Sequence, residues 1–273
     1  MASPIETTWA RATVLIETAG GRRGTGFFVG RSVGENQWKI WLVTNKHVLD
    51  ADSGRRKAMN AVRLHLNIET NGVLAGQIVD YPLLGPNGAV WHEHPIEDID
   101  VLAIDAVPLF DQTKDLANRF APEDLFALAA MRKELDISAG EEIVTVGYPI
   151  GIRQGRTNLP LLRQGIIATR IGEELHEEVP MPGGTRIRRS RAFLIDGATI
   201  PGSSGSPVIL KPVTGRHQGN AIMMGSTPAV LLGIVAETRF APINVGDGTV
   251  IPGFAGLGFV FEVETIQEVL NLF

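Results

Sequence analysis

The sequence predicts an all-β molecule: two packed six-stranded antiparallel β-barrels, a helical linker between them and a closing helix. Three observations carry that expectation. Short apolar runs punctuated by Gly and Pro recur in two groups, over 13–106 and over 142–261. Residues 62–69, VRLHLNIE, alternate, with Val62, Leu64, Leu66 and Ile68 on one face and Arg63, His65, Asn67 and Glu69 on the other. That period of two marks a half-buried strand and puts His65 on the outward face, without chemistry. Between the two groups, 111–135 changes to a helical pattern.

Taken in order, 13–17 and 25–30 read as strands joined by the glycine-bearing AGGRRG, and 39–44 as a third strand ending just before His47. Runs at 62–69, 75–81, 89–92 and 100–106 complete the first barrel. TKDLANRF and PEDLFALAAMRKEL read as the linker helices. Pro122 stands at a helix start, with Glu123 and Asp124 in the first turn. Strand signals resume at 142–146, 163–170, 192–195, 206–210, 230–236 and 258–261, and VETIQEVLNL has helical spacing. The expected division is 1–110 for the barrel carrying His47 and Asp100, and 111–137 for the linker. The barrel carrying Ser204 spans 138–273, with its closing helix at 263–272.

A chain of 273 residues with 44% hydrophobic and 20% charged residues is long and apolar enough for an ordinary globular core. A formal net charge of −5 gives no reason to expect a nucleic-acid partner. No apolar run approaches the ~18 residues of a membrane span. The first residues lack the basic head and apolar stretch of a secretory signal. There is no cysteine, which excludes disulfides, thiol catalysis and thiolate metal sites. Together these favour a cytoplasmic location, with a secreted mature form as the alternative.

The chemistry concentrates in PGSSGSPVI, 201–209. Ser204 stands between Gly202 and Gly205, glycines that turn the chain tightly and present backbone N–H groups to a developing oxyanion. A serine hydroxyl needs a base, and the base needs a carboxylate to fix its tautomer. LVTNKHVLD (42–50) supplies His47 at the end of an apolar run. HPIEDIDVLAID (94–105) supplies Asp98 and Asp100 at the mouth of another. The order His, Asp, Ser along the chain is that of the chymotrypsin arrangement.

On these motifs the chain resembles the trypsin-like (chymotrypsin-fold) serine proteases, and among them the bacterial high-temperature-requirement type. GTGFFVG (24–30), TNKHVL, VGYPIG (146–151) with RQGIIA (163–168), IDGATIPGSSGSPV (195–208), LLGIVAET (231–238) and GLGFVFEVETIQEVL (256–270) carry the resemblance. Ser203 and Ser206 are substitutions within it. The chain stops where many such relatives continue into a PDZ domain, and it has nothing like the cleavage site that activates secreted trypsins, so no such maturation is expected.

The resemblance implies a cofactor-free serine endopeptidase acting on protein or peptide substrates. Ser204 is the expected nucleophile, His47 the general base and then acid, and the N–H groups of Gly202 and Ser204 the oxyanion hole. The family pattern places a buried apolar residue two positions after the acid. Asp98 would put charged Asp100 there, whereas Asp100 puts Leu102 there, so Asp100 is preferred and Asp98 stays as the alternative. Asp196 belongs by resemblance to the loop supporting the oxyanion hole. Ala236, Glu237 and Thr238 form the edge for strand addition, and Ala198 and Leu257 line the primary pocket. Neither is acidic, so a small or aliphatic residue is expected there. No metal site is expected, because HEH at 92–94 lacks a third ligand. The arginines at 186, 188, 189 and 191 read as a solvated hairpin face. The competing readings are a narrow processing protease or esterase using the same triad, and a protease-fold binding module with little turnover. The sequence gives no indication of oligomeric state.

Overall fold

The computed structural model describes residues 3–86, 88–181, 184–197, 199–218, 221–246 and 249–273. The N-terminal half begins with a meander of β1 (Thr13–Glu17), β2 (Arg23–Gly34) and β3 (Gln37–Thr44). Two short helices follow, α1 (Lys46–Leu49) and α2 (Ser53–Lys57). The hairpin β4 (Ala61–Thr70) and β5 (Val73–Pro82) turns through Asn71 and Gly72, both at positive φ, the pairing that matches strand twist. The small pair β6 (Leu84–Gly85) and β7 (Gly88–Ala89) precedes β8 (Trp91–Glu93) and β9 (Leu102–Asp105).

The order across this sheet is β5-β4-β1-β2-β3-β9-β8. The closed six-stranded barrel expected here is therefore not formed by strand pairing. The outer edge of β5 is met instead by the second half of the chain. Gly76 N–H donates to Arg156 O at 3.0 Å, and Asn158 Nδ2 donates to Gln77 O at 3.3 Å. The same segment corrects the reading of β4. Val62, Leu64 and Leu66 do face the interior, but His65 and Asn67 are buried too. Asn158 N–H donates to Asn67 Oδ1 at 2.8 Å and its Nδ2 to Leu66 O at 2.8 Å, so the outward face is roofed over.

The linker is less helical than expected. Here α3 (Val107–Gln112) starts early, with Pro108 in its first turn, and TKDLANRF is not helical. Asn118 and its neighbours are drawn into the sheet: Asn67 N–H donates to Asn118 Oδ1 at 2.7 Å and Ala117 N–H to Asn67 O at 2.8 Å. Then β10 (Ala121–Pro122) runs parallel to β2, and Pro122, its last residue, also caps the start of a short 3-10 turn with Glu123 and Asp124 in it. After a 3-10 turn at Glu123–Leu125, α4 (Ala129–Glu134) is the one regular helix of the second segment. Tertiary hydrogen bonds override local propensity here.

The C-terminal half contains β11 (Glu142–Gly147), β12 (Leu161–Ile167), the hairpin β13 (Leu175–Met181) and β14 (Gly184–Ser190), β15 (Ala192–Asp196) and β16 (Pro207–Leu210). The hairpin β17 (Gly215–Gln218) and β18 (Ala221–Met224) follows. Next come β19 (Leu231–Asn244), β20 (Val250–Glu262) and the closing helix α5 (Val263–Leu270). Six of these strands close a barrel in the order β11-β12-β15-β20-β19-β16. Phe28 on β2 points into the N-terminal core. Phe27 and Val29 point the other way, into a seam shared with Ile209, Leu231, Ile234, Phe259 and α5. Strands buried on both faces at this seam hold the two sheets together.

Candidate active site

His47 lies in the single turn α1, directly after β3. Asn45, before it, is extended at φ −88 and ψ 150, which swings the chain out of the sheet toward the 94–100 turn. Three consecutive residues then grip that turn. Asn45 Nδ2 donates to Asp100 O at 2.6 Å, and Lys46 Nζ donates to His94 O at 2.9 Å, Ile96 O at 3.2 Å and Glu97 O at 3.3 Å. His47 N–H donates to Asp100 Oδ1 at 3.1 Å, and the ring Nδ1 bonds Asp100 Oδ2. An Nδ1–H donated to a carboxylate leaves the Nε2 lone pair as the acceptor. Asp98 is exposed on the same turn, and among the described residues no hydrogen bond or ion pair joins it to His47. Burial pushes the Lys46 ammonium down, with Glu93 and Asp100 opposing that shift.

The Ser204 loop is built on a tight turn. Ser203 N–H donates to Ile200 O at 2.9 Å, with Pro201 second and Gly202, at φ +92, third, the pattern of a type II turn. Pro201 O accepts Ile150 N–H at 2.8 Å, so the N–H of the same peptide, that of Gly202, faces the other way. Among the described residues neither this N–H nor that of Ser204 has an acceptor in the chain. A Cβ at Gly202 would lie 2.6 Å from Tyr148 O. At Gly205, φ +86, it would lie 1.8 Å from Thr25 O.

Thr25, which sequence reasoning assigned only to a strand, ties this loop to the N-terminal sheet. Its N–H donates to Ser204 O at 2.8 Å and its Oγ1 to Gly202 O at 3.0 Å. Thr44 Oγ1, at the end of the strand leading to His47, donates in turn to Thr25 O at 2.7 Å. The segments bearing His47 and Ser204 thus meet across Thr25 and Thr44. Asn45 and Lys46 were also missed; the only signal was their adjacency to His47 in TNKH. Ser204 Oγ donates to Ala236 O at 3.1 Å, and no hydrogen bond joins it to His47.

Ala236 is the extra residue of a bulge between Val235 and Glu237 on β19. From there on, among the described residues, β19 pairs only with β20, which leaves its other edge open beside the Ser204 loop. Thr238 lies opposite Gly258. Glu237 accepts from Arg188 Nη2 at 3.1 Å and bonds Arg239, which also reaches Glu177 at 2.6 Å. Burial alone would raise the Glu237 carboxyl, but Arg188, with Arg239 beside it, holds it below the usual carboxylate range. The expected solvated arginine face is therefore only partial, since Arg188 turns inward over the Phe259 ring, 5.0 Å from its centroid. Leu257 is half-buried opposite Asp196, its carbonyl accepting from Thr199 Oγ1 at 3.2 Å. Ala198 lies outside the described residues. Among the described residues no three His, Cys, Asp or Glu side chains are grouped to hold a metal ion. His92 stacks edge-on against Phe273, and His94 Nε2 pairs with Glu268 Oε2 at 2.8 Å. No described helix is long and apolar enough to cross a membrane.

A mostly β fold with this closed barrel is that of the chymotrypsin-like proteins. The family description "trypsin-like peptidase domain" matches residues 24–216, and the chain belongs to that family. Comparison with curated proteins gives no match. Among solved structures, the chain is similar to the inactive form of the Rv3671c protease at 17% identity and a TM-score of 0.49, over 98% of this chain and 91% of that one. The active form of the same M. tuberculosis protease is 16% identical with a TM-score of 0.48, over 98% and 82%. A likeness of this size carries no argument about the site.

Proposed function

We propose that this protein is a serine endopeptidase that hydrolyses protein substrates through His47, Asp100 and Ser204, without a cofactor. The observation that supports it best is the double hold of Asp100 on one residue, carboxylate to His47 N–H and to ring Nδ1, beside a serine loop pinned by Thr25. The reading requires Ser204 Oγ to leave Ala236 O and meet the imidazole. In the first step His47 Nε2 takes the hydroxyl proton as Oγ attacks the substrate carbonyl, and Asp100 stabilises the imidazolium. The oxyanion is received by the N–H groups of Gly202 and Ser204. His47 then protonates the leaving amine, and the acyl-enzyme forms. A water molecule, deprotonated by His47, cleaves the ester and restores Ser204.

In this reading the substrate lies as an added strand along Ala236–Glu237–Thr238, where it displaces the Ser204 hydroxyl from Ala236 O. Leu257 borders the primary pocket in this reading, favouring a small or aliphatic residue. The working parts are the 1–110 unit with His47 and Asp100 and the 138–273 unit with Ser204. A binding module with little turnover is the second reading, favoured by the resting bond from Ser204 to Ala236. Turnover of a fluorogenic peptide panel separates the two. Wild type hydrolyses at least one member, and Ser204→Ala lowers kcat by about 10⁶. Equal rates in the two proteins contradict the assignment.

A further inference from the structure

The strand that offers the substrate edge does not stop at Thr238. It continues to Asn244 and, with the 250–254 part of β20, leaves the barrel as a two-stranded ribbon. The ribbon bends where 255–257 of β20 stand opposite the single residue Arg239, with Gly256 at φ +77. Beyond the bend Phe240 faces Phe254, rings 6.4 Å apart and edge to face, 53% and 44% exposed. A free two-stranded ribbon is marginal in water, and an exposed aromatic pair on it points to something that packs there.

The register says what its edge can do. Pro242 lies opposite Pro252, and neither has an N–H, so this is a non-hydrogen-bonded pair whose backbone groups face outward. Phe240 and Phe254, two residues away on each strand, share that parity. The N–H and C=O of Phe240 therefore face the open edge of β19, whereas Pro242 offers no donor there. No described strand occupies that edge beyond Val235. The charges at the base of the ribbon are already spent on one another, Glu237 with Arg188 and Arg239, and Arg239 with Glu177.

We propose that the chain being cleaved occupies this edge, pairing as far as Phe240 and ending its ladder at Pro242. An apolar side chain about five residues upstream of the scissile bond, counting one substrate residue per strand residue from Ala236, packs on Phe240 and Phe254. This rests on the peptidase reading and adds a substrate class to it: extended segments that are apolar well upstream of the cut. The edge runs without interruption from the Ser204 loop, which favours a substrate strand. Pro242 and Pro252 deny two copies of this chain the long ladder that exchange between ribbons would need.

The test uses internally quenched peptides with one cleavage sequence, extended upstream residue by residue and ending in leucine or serine. Leucine reaching the Phe240 position raises kcat/KM about tenfold over serine. Paired Phe240→Ser and Phe254→Ser abolish that ratio, and paired Phe240→Leu and Phe254→Leu retain most of it. A ratio of one in the wild type, or one unchanged in the serine pair, overturns the proposal. So does a wild-type dimer by sedimentation that the serine pair dissolves while the ratio stays. If no peptide is cleaved, the peptidase reading fails. Binding of the fluorescent leucine and serine peptides to Ser204→Ala then decides the ribbon proposal alone, with tighter leucine binding supporting it.

Discussion

Asp100 and Asp98 sit two residues apart on one turn, and their surroundings differ sharply. Asp98 is exposed, whereas Asp100 is held by both the backbone and the ring of His47 and has its own carbonyl bound by Asn45. Lys46 fixes the carbonyls on the far side of the turn, so Asp100 is anchored before any substrate arrives. A neutral amide at position 100 can accept from one His47 donor but cannot stabilise the imidazolium. Asp100→Asn is therefore expected to lower kcat by about 10⁴, and Asp98→Asn to leave it within a few-fold, as steady-state hydrolysis of one peptide would show. A large loss in Asp98→Asn alone reverses the assignment. His47, Asp100 and Ser204 were legible as types, because each ended or opened an apolar run. Their supports were not. Thr25, Asn45 and Lys46 act through bonds to residues distant in the chain, such as Thr25 to Ser204, and no local pattern marks such a bond.

At the scale of elements, the decisive piece is the turn 200–203. Its shape follows from Pro201 and Gly202 together: proline sets φ at the second position and glycine takes φ +92 at the third. Alanine at 202 would combine an unfavourable φ with a contact of 2.6 Å to Tyr148 O. Relief requires the turn to move, and with it the outward N–H. Gly202→Ala is expected to lower kcat by about 10²–10³, the worth of one oxyanion donor, and to cost about 1–3 kcal/mol in urea unfolding. Unchanged kcat in a folded variant argues against that N–H as a donor to the oxyanion. The turn was readable from Pro-Gly, and so were most barrel strands, because period-two burial and Gly/Pro punctuation are local. The hairpin β17–β18 and the outer ribbon escaped notice, and β13–β14 showed only as the arginine-bearing hairpin face. Residues 240–246 of the ribbon are exposed on both faces, so no alternation of burial is there to read.

The whole molecule departs from two separate barrels at one place, where 156–158 of the second half roof the outer face of β4 and β5. His65 is trapped beneath, with Glu17 at 3.4 Å, Arg63 and Arg23 on that carboxylate, and Arg153 nearby. Burial pushes the His65 ring below its ordinary value, Arg153 adds to that, and Glu17 opposes it. The fold thus holds the ring neutral, and at acid pH the unfolded chain binds the extra proton first. Stability from this group is complete above the ordinary histidine range and drains away as pH falls beneath it toward the depressed folded value. His65→Gln is expected to flatten the fall in urea midpoint between about pH 7.5 and 5, relative to wild type. Parallel curves for the two proteins discount His65. The alternation of VRLHLNIE could not reveal this burial, because the covering residues lie some ninety positions away.

The two sheets meet through Thr25, Thr44 and the seam around Phe27, and the proposed function requires Ser204 to be an activated serine. Reaction with a fluorophosphonate, read by intact mass and peptide mapping, tests that directly. Wild type should gain one label, on Ser204, and lose it when His47 is replaced by alanine. A wild type left unlabelled, or a label carried on another residue, contradicts the account.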